Sequence, residues 1–288
     1  MADKAMPYVV LLSKPEQLSV SVLAAVLARA RGCPTLDAMA AARSCWGILE
    51  EDHAEAAARQ LAAALTAAGC ESLALPQNLV EDLPPAAAVV KADLGSPAPA
   101  FFAAGGAPNP GLDAAPQAHA LPDGLRYGGP AGLDAALLSA AILKRSVPQT
   151  IRVQKDISLT DKALQVGLLM ATGLPIRTAR MRKEEQRTVS NPELWGVLDI
   201  ILRAPARRLR VLSDGFDYSC LKEEKTYDTL SNFRALARRL AALWPEAGRN
   251  RGLRFILDGK PQRDMGYESA ADLERESRWL LTLQGLRP

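Results

Sequence analysis

Carboxylates lie at the ends of two similar stretches, RLRVLSDGFD (208–217) and GLRFILDG (252–259). Each stretch is short, apolar and interleaved with Arg, which is typical of a strand that runs into a turn. If Asp214, Asp217 and Asp258 converge, they could hold Mg²⁺ with a substrate phosphate and support hydrolysis. Asp-Gly is also ordinary turn chemistry, because Gly accepts positive φ and Asp bonds its own backbone. We favour the turn interpretation and predict no metal site.

Thiol and imidazole groups form no recognisable catalytic pattern. Cys220 would need a neighbouring His or cation to act as a nucleophile, and the second half of the chain has no His. His53 has no Cys or His three or four residues further on, as zinc binding would require. Cys33, Cys45 and Cys70 sit beside apolar residues and are predicted to fill the core. We expect no catalytic residues and no cofactor, although an enzyme of unrecognised type stays open.

Charge divides the chain into two unlike halves. Residues 1–125 carry 7 Lys and Arg against 13 Asp and Glu, a net charge of −6, and residues 126–288 carry 28 against 19, a net charge of +9. The cations of the second half are clustered, and on a shared face they would neutralise phosphates. The acidic half could equally dock on the basic half. The candidate binding residues are Arg180, Arg182, Lys183, Arg207, Arg208, Arg210, Arg238 and Arg239.

The first half has the elements of a small α/β domain. YVVLLS (8–13) is an apolar run suited to a buried strand, and ESLALP (71–76) alternates like a second strand. Three helices are predicted between them from apolar spacing, caps and breakers. The first ends at Gly32, the second is capped by Thr35, and the third begins at Glu51 with acids in its first turn. The predicted order is β-α-α-α-β.

These stretches resemble the C-terminal domain of the bacterial ribosomal stalk protein. The resemblance covers residues 8–76 and implies a small α/β sandwich that contacts other proteins. The family's factor-binding face, with Lys and Arg along its first two helices, does not carry over. The matching helix VSVLAAV (20–26) has no Lys, and Asp37 and Ala41 stand where a Lys would be expected. The stretches that carry the resemblance are VVLLS (9–13), VSVLAAVLARARG (20–32), PTLDAMAAARS (34–44), WGILEEDHAEAAARQLAAALTAAGC (46–70) and ESLAL (71–75).

A segment rich in Gly, Pro and Ala separates the two halves. Twenty of the thirty residues at 95–124 are of these three types, which predicts a linker between a small domain at 1–94 and a basic domain at 125–288. A further element at 86–94 is uncertain. The basic domain is predicted to be α+β. Its predicted helices are 131–145, 161–172, 226–244 and one starting at Ser269, and its predicted strands are 149–155, 194–202, 208–212 and 252–257.

Together these patterns predict a two-domain α+β protein of a bacterial cytoplasm. The favoured function is a non-catalytic adaptor or regulatory protein that binds another protein. Nucleic-acid binding through the Arg clusters is the alternative, and a carboxylate–metal hydrolase is a third. No segment is long and apolar enough to span a bilayer, so no membrane partner is expected. Residues 126–288 otherwise resemble only uncharacterised bacterial proteins, through phrases such as LSNFRALARRL.

Overall fold

The computed structural model describes residues 6–14, 19–95, 99–103, 126–127, 133–154 and 184–286. These residues confirm the α+β class, with helices beside a three-stranded antiparallel sheet and a seven-stranded mixed sheet. They form two compact units. One unit comprises the described residues up to Leu143 and from Leu194 onward, and the other comprises those from Lys144 to Glu193.

The small sheet has the strand order β2-β1-β3. Its central strand is fully buried from Val9 to Leu12, as the apolar run predicted. We call this part of the molecule, residues 8–76, the small-sheet part. Its elements are β1 (Tyr8–Leu12), α1 (Val20–Arg31), α2 (Thr35–Ser44), β2 (Ile48–His53), α3 (Glu55–Ala67) and β3 (Ser72–Pro76).

The observed order, β-α-α-β-α-β, corrects the predicted order. The third helix does not begin at Glu51, because residues 48–53 form β2 and pair with β1, Val10 opposite Glu50. Acidic residues are poor strand formers, so only the pairing with β1 reveals this strand. Thr35 is the first residue of α2, and Pro34 occupies the N-cap position.

The large sheet has the strand order β10-β7-β8-β9-β4-β5-β6. Strand β4 pairs in parallel with β9 and antiparallel with β5. The uncertain element at 86–94 is therefore a strand, and residues 100–103 of the predicted linker form another. The domain boundaries at 94 and 125 stay predictions. The strands are β4 (Ala86–Asp93), β5 (Ala100–Ala103), β6 (Arg126–Tyr127), β7 (Ala135–Gln154), β8 (Glu184–Leu202), β9 (Arg207–Leu212) and β10 (Gly248–Arg249).

Two predicted elements of the second half of the chain differ in type from the elements observed. The predicted helix at 131–145 lies largely within strand β7, which is completely buried from Ala135 to Leu143. A continuous apolar run fits a strand covered on both faces as well as a buried helix. The predicted strand at 252–257 is helix α5 (Arg251–Leu257). It is capped by the Asn250 side chain, which accepts the Leu253 N–H at 2.9 Å.

The remaining secondary-structure predictions within the described part of the second half are confirmed. Strands β8 and β9 form the expected antiparallel hairpin. Asp228 caps α4 (Thr229–Leu243). Ser269 and Asp272 form the predicted capping box of α6 (Ala270–Gly285). The predicted helix at 161–172 lies outside the described residues.

Helices cover both faces of the large sheet. Helices α4 and α5 pack on one face, where Phe233 and Leu253 join a core with Leu209. Helix α6 lies on the other face, and its Trp279 and Leu283 share a core with the small-sheet part. Among the described residues, no helix has both the length and the apolar character needed to cross a membrane.

Candidate functional site

The small-sheet part docks on helix α6 through a tryptophan. Trp279 is fully buried, and its indole N–H donates to the Leu12 carbonyl at 2.6 Å. Its ring lies so close to Gly47 that a Cβ there would stand 1.9 Å from it. Beside this contact, Trp46 stacks on Tyr267 with ring centroids 4.4 Å apart. The two parts therefore share one continuous packed interface.

Ion pairs border the same interface. Glu51 of β2 lies 3.5 Å from Arg275 and 3.4 Å from Arg278, both on α6. Arg278 also lies 3.6 Å from Asp82. Carboxylates of the acidic half therefore meet cations of the basic half, and part of the charge asymmetry is balanced inside the molecule.

A cleft of about 400 Å³ opens where α2 faces the segment between α5 and α6. We call it the interface cleft. Its walls combine apolar side chains with charged side chains of both signs. The lining residues are Val20, Ala40, Ala42, Arg43, Ser44, Trp46, Arg251, Gly266, Glu268 and Asp272.

The charged groups of the interface cleft differ in how they are held. The Arg251 guanidinium donates to the Asp264 carbonyl at 3.0 Å and lies 5.1 Å from the centre of the Phe255 ring. The Asp272 carboxylate accepts the backbone N–H groups of Glu268 and Ser269, each at 2.9 Å. Arg251 and Asp272 are thus fixed by the fold.

Arg43 and Glu268 are the charged side chains of the cleft that the fold holds least. Both side chains are exposed. Within the described part of the chain, neither side chain has a hydrogen bond or an ion pair. The cleft therefore offers one cation on its α2 wall and one anion on the opposite wall.

A buried polar network lies directly behind the cleft. Asn250 accepts the Ala140 N–H at 2.9 Å and donates to the Ala140 carbonyl at 3.0 Å, which ties α5 to β7. The Glu276 carboxylate accepts from the Tyr267 hydroxyl and from the Arg251 N–H, the latter at 3.1 Å. Two cleft residues contact this network: Arg251 through its backbone N–H, and Trp46 through its stacking on Tyr267.

Burial governs the titration of this network. It raises the pKa of Glu276, against the lowering effect of the hydrogen bonds from Tyr267, the Arg251 N–H and Asn250. It also raises the pKa of Tyr267, which the neighbouring Glu276 raises further. Neither group reaches the open cleft, because both are buried. The network supports the wall and offers no accessible acid or base.

Two of the predicted binding residues lie inside the molecule. Arg208 and Arg210 are only 3% and 8% exposed, which corrects the expectation that they form a surface. Arg210 binds Asp199 through two hydrogen bonds of 2.7 Å. Both arginines also bind Glu274 of α6, at 3.1 and 2.9 Å. Alternate residues of a strand face the same side, and here that side is covered by α6.

The other predicted binding residues are dispersed. Arg207 and Arg238 are exposed, on β9 and α4. Arg239 donates to Glu224 at 2.6 Å and to the Cys220 carbonyl at 3.0 Å. Helix α4 packs on the opposite face of the large sheet from α6, so the structure does not bring Arg238 and Arg239 together with Arg208 and Arg210. The remaining three candidates, Arg180, Arg182 and Lys183, lie outside the described residues.

Asp217 and Asp258 lie at the ends of helical segments, and Cys220 is a partly buried thiol. Asp217 caps the turn at 218–224 by accepting from the Ser219 N–H and hydroxyl, each at 2.9 Å, which lowers its pKa. Asp258 ends α5, 3.7 Å from Lys260. Burial raises the pKa of the Cys220 thiol, the opposite of what a nucleophile needs. Among the described residues, no group of three His, Cys, Asp or Glu could hold a metal.

Comparisons of the chain with protein-family models, curated proteins and solved structures gave no significant match. Sequence reasoning did not single out Arg43, Trp46 or Glu268 as site residues. Glu268 lies more than 200 residues from Arg43 and Trp46 along the chain, and only the docking of α2 beside the α5–α6 segment places the three in one cleft.

Proposed function

We propose that the protein is a non-catalytic adaptor or regulatory protein of a bacterial cytoplasm, and that it binds another protein through the interface cleft. The observation that carries this proposal is the lining of the cleft. It combines small apolar side chains with charges of both signs and includes no Cys, no His and no group with an activating partner. Such a surface suits recognition of a ligand more than its transformation.

Two further observations support a binding role. The resemblance of residues 8–76 to the stalk protein's C-terminal domain implies a fold that contacts other proteins. Two residues of the cleft wall are also held in place, because Arg251 contacts Asp264 and Phe255, and Trp46 stacks on Tyr267, which donates to Glu276. A wall fixed in advance lowers the entropic cost of binding.

Site-specific crosslinking tests the proposal. A photoreactive p-benzoylphenylalanine is placed at Ala40, which lines the cleft, and at Ala63, which is exposed on α3. After irradiation of cells that encode the protein, we expect a discrete protein adduct from the first position alone. Arg43→Glu should abolish that adduct. Identical patterns at both positions, or none at Ala40, contradict the proposal.

Nucleic-acid binding is the alternative to the adaptor function. Arg208 and Arg210 already have carboxylate partners, so the described chain presents fewer phosphate contacts than the sequence suggested. Binding of the whole chain to single- and double-stranded DNA is measured at two salt concentrations. The adaptor proposal predicts weak binding, whereas tight binding that collapses with added salt would favour a phosphate surface.

A further inference from the structure

We propose that the interface cleft recognises a peptide segment that carries an acidic and a basic side chain close together. Arg43 and Arg251 receive the acidic group, and Glu268 receives the basic group. This inference rests on the proposed protein-binding function and specifies the chemistry of the partner.

The cationic side of the cleft suits a carboxylate. An Arg guanidinium has five N–H donors in a planar fork that matches carboxylate oxygens. Among the described residues, one guanidinium nitrogen of Arg251 donates within the fold, to the Asp264 carbonyl. The Phe255 ring below it keeps the guanidinium in place. Arg43 adds a second cation from the α2 wall.

The anionic side of the cleft suits an ammonium or guanidinium. Asp272 is occupied by two backbone N–H groups at the start of α6. Glu268 is therefore the carboxylate that remains open to an incoming cation. The small side chains of Ala40 and Ala42 on the opposite wall leave room for the apolar stem of a Lys or Arg.

The mixture of charges also selects against other segments. A purely acidic segment would meet Glu268 and Asp272, and a purely basic segment would meet Arg43 and Arg251. Like charges brought together lower affinity, which is a common means of specificity. The volume of about 400 Å³ accommodates a short extended segment and falls within the range of ordinary ligand sites.

Peptide titrations of the full-length protein test the inference. Four capped pentapeptides differ only in charge: Gly-Glu-Gly-Lys-Gly, Gly-Glu-Gly-Glu-Gly, Gly-Lys-Gly-Lys-Gly and Gly-Gln-Gly-Gln-Gly. NMR shifts of the Trp46 indole N–H and the Gly266 amide report on cleft occupancy. We expect the mixed-charge peptide to bind best. Arg43→Gln and Glu268→Gln should each weaken it about two- to fivefold, the effect of losing an exposed ion pair.

Arg59→Gln is the control, because Arg59 is exposed on α3 and does not line the cleft. It should leave the affinity unchanged. Equal binding of all four peptides, a preference for a uniformly charged peptide, or no binding of the mixed peptide overturns the inference. In those cases crosslinking at Ala40 still decides the proposed function, so the two failures are distinguishable.

Discussion

Glu276 is a carboxyl group enclosed by Tyr267, Asn250 and the N–H of Arg251. The positive charge of Arg254 lowers the pKa of Glu276, but burial outweighs it. Because its folded pKa is raised, folding favours the protonated form. The stabilisation from this group is complete below its unfolded pKa, near 4.5, and is lost as the pH rises through the raised folded value.

Glu276→Gln should remove this pH dependence. The amide keeps the shape of the side chain but cannot ionise. Relative to the variant, the wild type should lose about 1.4 kcal/mol per pH unit between 4.5 and its raised pKa. Urea unfolding from pH 4 to 8 measures the difference. Parallel stability curves for the two proteins would show that Glu276 does not titrate as its burial implies.

The ion cluster around Asp199 gives a second prediction. Asp199 is completely buried, and its carboxylate accepts two hydrogen bonds from the Arg210 guanidinium. Asp199→Ala leaves buried cations without this partner and should reduce the free energy of unfolding by about 3–5 kcal/mol. The double variant Asp199→Leu, Arg210→Met removes both charges and should be closer to wild type in urea unfolding. A double variant as unstable as the single one would contradict this account.

At the scale of the elements, the close approach of the β1–β2 region to α6 depends on Gly47. It has φ of +90°, and a Cβ would meet the Trp279 ring. Gly32 is the matched control, because it has φ of +62° but open space around it. Gly32→Ala should cost about 1–2 kcal/mol. Gly47→Ala should reduce the free energy of unfolding clearly more. Thermal or urea unfolding measures both variants, and equal losses of stability would show that the contact with Trp279 is unimportant.

The elements also show which features the sequence could predict. Helices α4 and α6 carry local caps, Asp228 and Ser269, so their starts could be predicted from nearby residues. Strand β2 and helix α5 could not. The first depends on pairing with β1, and the second depends on Asn250 reaching Ala140 of β7. Their identity is set by partners far away in the sequence.

The candidate site was unpredictable for the same reason. Arg251 belongs to the basic half of the chain, but its neighbours in the cleft, Arg43 and Trp46, belong to the other half. Arg208 and Arg210 look like surface residues of a basic strand. Their burial follows from the position of Glu274 on α6, which no local pattern reveals.

At the scale of the whole molecule, the ion pairs of Glu51 should contribute less to the free energy of unfolding than the packing of Trp279. The three side chains, Glu51, Arg275 and Arg278, are 28–38% exposed, so solvent and salt screen them. Glu51→Gln should cost at most about 1 kcal/mol, and less at high salt. Trp279→Ala should cost about 3–5 kcal/mol. Urea unfolding at two salt concentrations compares them, and the reverse order would contradict the packing account.

The interface cleft exists only while the small-sheet part stays docked on α6, and native-state hydrogen exchange in increasing urea tests this directly. The amides of β1, of residues 196–202 in β8, and of residues 273–283 in α6 are compared. The account predicts that all three sets converge on one opening free energy, because they share a single packed body. If β1 opens at lower urea while β8 and α6 remain protected, the small-sheet part undocks by itself and the cleft is not a fixed site.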